Sequence, residues 1–460
     1  MRNKLLIFSK GILLMCFLSF NSCEVDLVTD PNNPSVGSAT ADASLVEVQF
    51  LVTGLEGRNR GYYGSASQMF GTFGREVWPY FASDPRFLGD WLSSATYASF
   101  FGSGGTYTTP YQAVKQANVI IEAAANSTQL TTAQANGASG FAKTIKGFQL
   151  IWPLLQQWDN GIRIDVADPL NPGPRVGENN PQAAFAAILD ILDDGLSDLN
   201  GAGSEFAFDL TATFAGFDSP AEFAKVNRAI AARVALYAED YAAAASAISS
   251  SFMDMNVDAA SSDKMFTGPV HYYGTPPDAT NPLFAPFDQA TARILIAHPS
   301  WIEDALPGDA RLDKVKKLVN FLQTNPGLRD ANGDLLVGEY QDVRYPTQTD
   351  NIPFIRNEEL ILISAELSAR AGNAGNAVDA INVVRNTWGV GDYTGGTSQD
   401  ELLDEILYQR RYSLWNEAGH RWVDLRRTDR LNAQYVDLRD QGGLITSVAR
   451  PTSEINWDGR

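Results

Sequence analysis

The sequence predicts a mainly α fold, a stack of tetratricopeptide-like helix pairs alternating with loops rich in Gly, Pro, Asn and aromatics. Three observations predict it. Long segments rich in Ala, Leu and Ile place their apolar residues at helical spacing, strand-like alternation is scarce, and two stretches share a helix–turn–helix plan.

Residues 44–61, 111–125 and 138–158 carry the first helical patterns. Pro181 opens the next helix, where a missing N–H costs nothing, and Phe185, Ile188, Leu189, Leu192 and Leu196 share one face of it. Pro220 opens another that runs to Tyr237. The first helix–turn–helix stretch runs from Arg228 to Tyr237, turns at Glu239-Asp240, and returns through Tyr241, Ala244, Ala245 and Ile248. The second runs from Glu358 to Leu367, turns at Gly372-Asn373, and returns through Ala377, Ala380, Ile381 and Val384. Alanine at the crossing points lets paired helices approach, and Gly or Asp at the turn reverses the chain.

The N-terminus has the form of an export signal: Arg2 and Lys4, a short apolar run from Gly11 to Phe20, then Ser22 before Cys23. A cysteine at the cleavage point marks a lipoprotein, because acylation of the sulfur and of the new amino group supplies more than one chain, enough for stable anchoring. Residues 24–34 are polar and turn-rich, which suits a tether. The expected organisation is therefore a signal peptide over 1–22, a lipidated tether over 23–40 and one domain over 41–460, anchored to the membrane by its lipid alone. Within that domain the loop-rich surface is expected mainly from 62–111 and 266–287, and the helix pairs from 111–250 and 355–427.

Of 460 residues, 44% are hydrophobic and 19% charged, with a formal charge of −19, so the chain buries a large core and repels polyanions. Nucleic acid is not an expected partner. Cys16 and Cys23 are the two cysteines, which leaves at most one thiol after processing and no thiolate metal site. No pair among His271, His298 and His420 has metal-ligand spacing, and no HExxH, nucleophile elbow or phosphate loop is present. Asp330, Asn332 and Asp334 place oxygens at alternate positions as a Ca2+ loop does, but Gly333 falls too early and Gln341 stands at the closing position, so an Asn-Gly hairpin turn is the favoured reading. No catalytic residues and no cofactor are assigned.

The distribution of aromatics is the strongest signal of binding. Residues 62–111 hold fourteen Phe, Trp or Tyr in fifty positions, against 49 in the whole chain. Flat rings presented from loops suit the C–H face of a sugar, with hydroxyl and indole N–H groups meeting its rim. Trp78, Tyr80, Trp91 and Tyr97 are the expected stacking rings, with Asp84 and Arg86 to hydrogen-bond hydroxyls. Tyr272 and Tyr273 join them from the Gly- and Pro-rich second loop, and His271 beside them is expected at its rim or in the core.

Residues 406–427 carry Arg410-Arg411 and Leu414, then Glu417-Ala418-Gly419-His420-Arg421, then Asp424-Leu425-Arg426-Arg427. This set closely resembles the signature of the SusD/RagB family of outer-membrane nutrient-binding lipoproteins. Asp30-Pro31-Asn32, Ala117-Asn118, Asn281-Pro282, Gly308-Asp309-Ala310-Arg311 and the pair 358–385 followed by Trp388-Gly389 stand in that family's order, while Gln409 and Ala418 depart from its pattern. The resemblance implies a SusD-like fold, in which the helix pairs form a curved scaffold and a large irregular, loop-rich part carries the ligand surface, and which captures an oligosaccharide or polysaccharide at the cell exterior. It also implies delivery, without chemistry, to a SusC-like TonB-dependent transporter in the outer membrane. The dense opposite charges of the motif are expected to be structural ion pairs rather than a catalytic site. Two rival classes are a lipid-anchored glycoside hydrolase, which needs two carboxylates flanking the groove, and a protein-interaction scaffold with no small ligand.

Overall fold

A computed structural model describes residues 36–80, 91–92, 104–168, 170–289, 294–320 and 323–459. Its first element, α1 (Val36–Ala41), falls inside the expected tether, so ordered structure begins earlier than predicted. The reason is docking: Thr40 is buried and its carbonyl accepts a hydrogen bond from Asn126 Nδ2 at 3.0 Å. Helix α2 (Leu45–Asn59) starts at a capping box, the Ser44 hydroxyl accepting from the Glu47 N–H while the Glu47 carboxylate accepts from the Ser44 N–H at 2.8 Å.

The expectation of loops across 62–111 is corrected by α3 (Tyr63–Phe73) and the strand β1 (Val77–Tyr80). Here small residues serve close packing instead of chain reversal. A Cβ on Gly71 would stand 2.7 Å from Asn416 Oδ1, so the glycine lets α3 lie directly on the C-terminal motif.

The helix stack continues with α4 (Thr109–Asn126) and α5 (Thr132–Gln157), the latter begun by the Thr131–Gln134 capping box. A hairpin of β2 (Asn160–Arg163) and β3 (Arg175–Glu178) leads to α6 (Pro181–Asn200), then α7 (Pro220–Tyr237) and α8 (Tyr241–Ser249). Successive helices pack as antiparallel neighbours, and α5 meets α6 so closely that a Cβ on Gly140 would lie 2.9 Å from Gly195 O. Pro181 and Pro220 both sit in the first turn, as read from the sequence.

Irregular chain follows, interrupted by β4 (Val270–His271), β5 (Ile294–Ala297), α9 (Pro299–Glu303), β6 (Val315–Lys317), β7 (Gln323–Arg329), β8 (Leu335–Gly338), β9 (Tyr340–Asp342) and β10 (Ile352–Pro353). One antiparallel sheet has the order β1-β5-β9-β6, pairing Trp78 with Ile296 and Ile296 with Gln341. The second helix pair is α10 (Asn357–Arg370) and α11 (Ala374–Thr387), followed by α12 (Gln399–Ser413), α13 (His420–Arg427) and a terminal α14 (Thr452–Asp458). Helix α10 packs on α7 and α8, so the two helix pairs belong to one stack.

Buried ion pairs join the helices of this stack to one another and to the loops. Arg427 Nη1 meets Glu366 Oε1 at 2.6 Å and its Nη2 meets Asp424 Oδ1 at 2.8 Å, while Asp424 Oδ2 also binds Arg410 Nε at 2.6 Å. Arg356 pairs with Glu358 and, at 3.0 Å, with Glu417, and donates to the carbonyls of Met265 and Ser413. Arg233 Nε meets Glu359 Oε1 at 2.6 Å. Arg426 donates to the carbonyls of Leu155 and Thr446 and stacks on Trp158 and Trp422 at 3.8 and 4.1 Å from the ring centres. The motif charges are thus structural partners. Gly419, at φ +88°, turns the chain before α13, and a Cβ there would sit 2.2 Å from Phe70 Cβ. Ala418 also adopts a left-handed conformation, φ +58°, where the family's usual pattern has one residue fewer.

Two carboxyls in this interior titrate in opposite directions. Burial raises Glu366, but the guanidiniums of Arg427, Arg370 and Arg410 outweigh it and hold its pKa at about 2. Glu366→Gln leaves Arg427 and Arg370 short of a counter-charge and is expected to cost about 3–5 kcal/mol in denaturant unfolding at neutral pH. The same change at Glu222, whose pair with Lys225 is 43% exposed on both sides, should cost less than about 1 kcal/mol. Equal losses would show that the interior pairs carry no special weight. Burial pushes Glu76 up to about 7, against the pull of the Asn416 amide and the guanidiniums of Arg421, Arg344 and Arg411. Its folded pKa lies above the unfolded value, so its contribution favours folding at low pH and is lost as pH rises through about 7. Thermal melts of Glu76→Gln should therefore gain on wild type more at pH 8 than at pH 4.5, and a pH-independent offset would refute the assignment.

Candidate functional site

Among the residues predicted to contact ligand, Asp84, Arg86 and Tyr97 lie outside the described residues, as does Cys23. The structure corrects three of the others. Trp78 is 1% exposed: strand β1 turns it under the sheet, where His298 meets it edge-on at 4.7 Å between ring centres and its Nε1 donates to Asp440 Oδ2 at 3.4 Å. Asp440 is in turn held by Arg75 Nε at 2.9 Å. Trp91 lies in the main apolar core, and Tyr273 is also buried, beneath the Arg60 guanidinium at 5.6 Å from its ring centre. None of these three rings has an open face. His271 belongs to the core as well, stacked on Phe354 and hydrogen-bonded through Nε2 to the Tyr62 hydroxyl at 3.1 Å, with burial lowering its pKa to about 3.

Tyr272 and Tyr80 remain accessible. Successive residues of extended chain point to opposite sides, so an inward Tyr273 turns Tyr272 outward, where it is 45% exposed. Tyr80 ends β1 half-buried. Arg60, just beyond α2, fastens this loop by donating to the Tyr272 carbonyl and pairing with Asp278, whose carboxyl the contact holds below its ordinary range.

Asp330, Asn332 and Asp334 form the hairpin turn between β7 and β8. Asp330 Oδ1 accepts the N–H groups of Asn332 at 2.8 Å and Asp334 at 2.9 Å, and Gly333 takes φ +86°. These contacts are those of the Asn-Gly hairpin turn favoured from the sequence. Among the described residues no group of three or more His, Cys, Asp or Glu is gathered as a metal ion requires.

A second surface was not foreseen. A groove of about 1060 Å³ runs between α4, α5 and α6 on one side and the 163–172 segment and α14 on the other. Tyr111, Lys115, Asn118 and Glu122 line it from one stripe of α4, Lys143 and Lys146 from α5, and Tyr107, Arg163 and Trp457 from its far end. The Tyr111 hydroxyl donates to the Arg163 carbonyl at 2.8 Å. Arg163 fastens α14 through Glu454 at 2.9 Å and Asp458 at 2.6 Å, and Arg175 and Arg450 each meet Asp458 at 2.6 Å. The stripe's three- and four-residue spacing was visible in the sequence, but α14 lies far along the chain and gave no sign of facing it.

Residues 337–459, which hold most of the interior ion pairs, match the SusD family. A SusD superfamily structure from Bacteroides vulgatus shares the fold over 90% of this chain and 97% of its own, with a TM-score of 0.64 and 14% identity. Residues 337–459 thus carry the SusD family match, and the chain has the SusD fold. Among its relatives, SusD-like protein P38 of Formosa agariphila is 31% identical over 115 residues, a stretch that is 23% of this chain and 22% of that protein. The match thus spans about a fifth of the relative's length. The surface glycan-binding protein A of Bacteroides thetaiotaomicron, solved in complex with laminarihexaose, has a TM-score of 0.64 at 13% identity and covers 90% of this chain and 97% of its own. These structural likenesses establish the SusD fold. Its mainly helical character agrees with the fold class predicted from the sequence.

The Arg60 contacts predict that Arg60→Ala loosens the loop without unfolding the stack. Amide exchange across 273–279 should accelerate while the helical circular-dichroism signal stays constant; unchanged exchange would show that the loop is held by other contacts.

Proposed function

We propose that this SusD family protein is a cell-surface lipoprotein that captures oligosaccharide and passes it, chemically unchanged, to a SusC-like TonB-dependent transporter of the outer membrane. The observation that carries the reading is the shared fold with a surface glycan-binding protein solved with laminarihexaose, over nine-tenths of the chain. On this reading Cys23 bears the lipid, residues 24–35 give reach, and the domain faces the cell exterior. Among the described residues no helix is long and apolar enough to cross a membrane. Leu45, Val46 and Phe50 expose apolar surface on α2, the first long helix after the tether, which suits contact with a transporter.

Ligand contact is proposed at the loop surface bearing Tyr272 and Tyr80, with Asp84, Arg86 and Tyr97 as further contributors. Tyr272 offers an exposed ring on a segment fastened by Arg60, so little ordering remains to be done on binding.

Calorimetry on the soluble chain that begins after Cys23, against a panel of neutral and acidic oligosaccharides, tests the reading. Saturable binding with the sugar recovered intact is expected, and Tyr272→Ala should weaken the neutral ligand by about 1–3 kcal/mol, the loss typical of a hot-spot ring. Recovery of shortened sugar would instead support the hydrolase, and silence across the panel would support the protein-interaction scaffold.

A further inference from the structure

The groove between the helix stack and α14 contains two polar groups whose bonding capacity is unused. Lys146 lies half-buried on α5, and among the described residues no carboxylate is within salt-bridge distance of it. Its neighbour Lys143 differs, because its ammonium meets Asp198 Oδ2 at 2.8 Å. Burial lowers the pKa of Lys146, with Asp165 opposing the shift from a distance. Asn118 Nδ2, on the facing helix α4, is buried with no hydrogen-bond acceptor. Other buried cations have partners: Arg233, Arg356, Arg410 and Arg427 each hold a carboxylate, and Arg426 and Lys314 each donate to two backbone carbonyls. An unmatched ammonium beside an unmatched amide donor, inside a cavity, is a costly arrangement unless a ligand supplies the acceptor.

The walls narrow the chemistry. Tyr107 and Tyr111 stand 5.1 Å apart between ring centres and line the groove together with Trp457, so flat apolar faces share its wall with the donors. Rings for C–H faces, an amide for hydroxyls and a half-buried ammonium for a negative charge together fit a sugar that bears a carboxylate. A volume of about 1060 Å³ admits several sugar rings. Glu122 and Asp194 are exposed at the rim and stand where they would turn away longer polyanions.

We infer that this groove is a second binding site, separate from the Tyr272 surface, for an oligosaccharide carrying a carboxylate, with Lys146 receiving the carboxylate and Asn118 an adjoining oxygen. The inference rests on the carbohydrate-binding reading above and adds a ligand class that the overall negative charge argued against.

Tetragalacturonate and its fully methyl-esterified form, titrated into the soluble chain at low and high salt, test it. The acid should bind saturably, at least tenfold tighter than the ester, and lose affinity with added salt. Lys146→Met should weaken the acid at least tenfold while Lys146→Arg restores most of it, and Tyr272→Ala should leave it unchanged. Asn118→Asp, which puts a like charge beside the site, should weaken it equally and guards against a folding defect in the methionine variant. Equal binding of acid and ester, or full affinity in both Lys146→Met and Asn118→Asp, overturns the assignment. So does binding of neutral oligosaccharides with none of the acid, a result that leaves the capture reading intact. If no sugar of either kind binds, both readings fall.

Discussion

Arg356 and Arg427 are the constraint on which the remainder of the structure depends. Each is buried, and each reaches partners that are far apart in sequence: Arg356 joins the 265–266 turn, the start of α10 and Glu417, while Arg427 joins α10 to α13 through Glu366 and Asp424. A guanidinium has five donors in one plane, so satisfying it indoors dictates where several chain segments must lie. Such pairs add less net stability than their Coulomb energy suggests, since desolvation opposes them, but a misplaced partner leaves a bare charge and is heavily penalised. The lattice therefore selects one arrangement of the C-terminal helices against the loops they hold. The family match over 337–459 covers most of these residues, which is consistent with a framework motif.

A framework of that kind suits capture. The helix stack and the lattice hold the irregular segments by their ends and by single anchors such as Arg60, leaving exposed side chains free to differ between relatives that share the fold. Fold similarity at 13–14% identity fits that picture, because the surfaces are carried by residues the framework does not prescribe. Both candidate surfaces here use such residues. Tyr272 stands on an irregular segment, and the groove is closed only when α14 is fastened to Arg163, Arg175 and Arg450.

The helices were legible because their signals are local. Prolines at first turns and alanine-rich crossings act within a few residues, and each appears where the pattern placed it. The sheet was not legible, since β1, β5, β9 and β6 are three or four residues long and too short to display alternation. The aromatic-rich region misled for a different reason. Composition reports how many rings a segment holds and not which way they face, and pairing β1 with β5 buries Trp78. The 62–111 region was read as a loop-rich surface, whereas its Gly71 lies in a helix and supplies room for Asn416. The ion pairs of the C-terminal motif were anticipated as structural, although Glu358, Glu359 and Glu366, their partners on α10, were read only as part of a helix pair.

The account's central claim is that an intact oligosaccharide is held on a scaffold whose interior does not rearrange. A crystal structure of the soluble chain with a bound oligosaccharide, compared with the free chain grown alongside it, tests this most directly. The account predicts uncleaved sugar against the Tyr272 surface or in the α14 groove, with Arg356–Glu417 and Arg427–Glu366 unchanged. Shortened sugar, or a complex in which those pairs have exchanged partners, would contradict it.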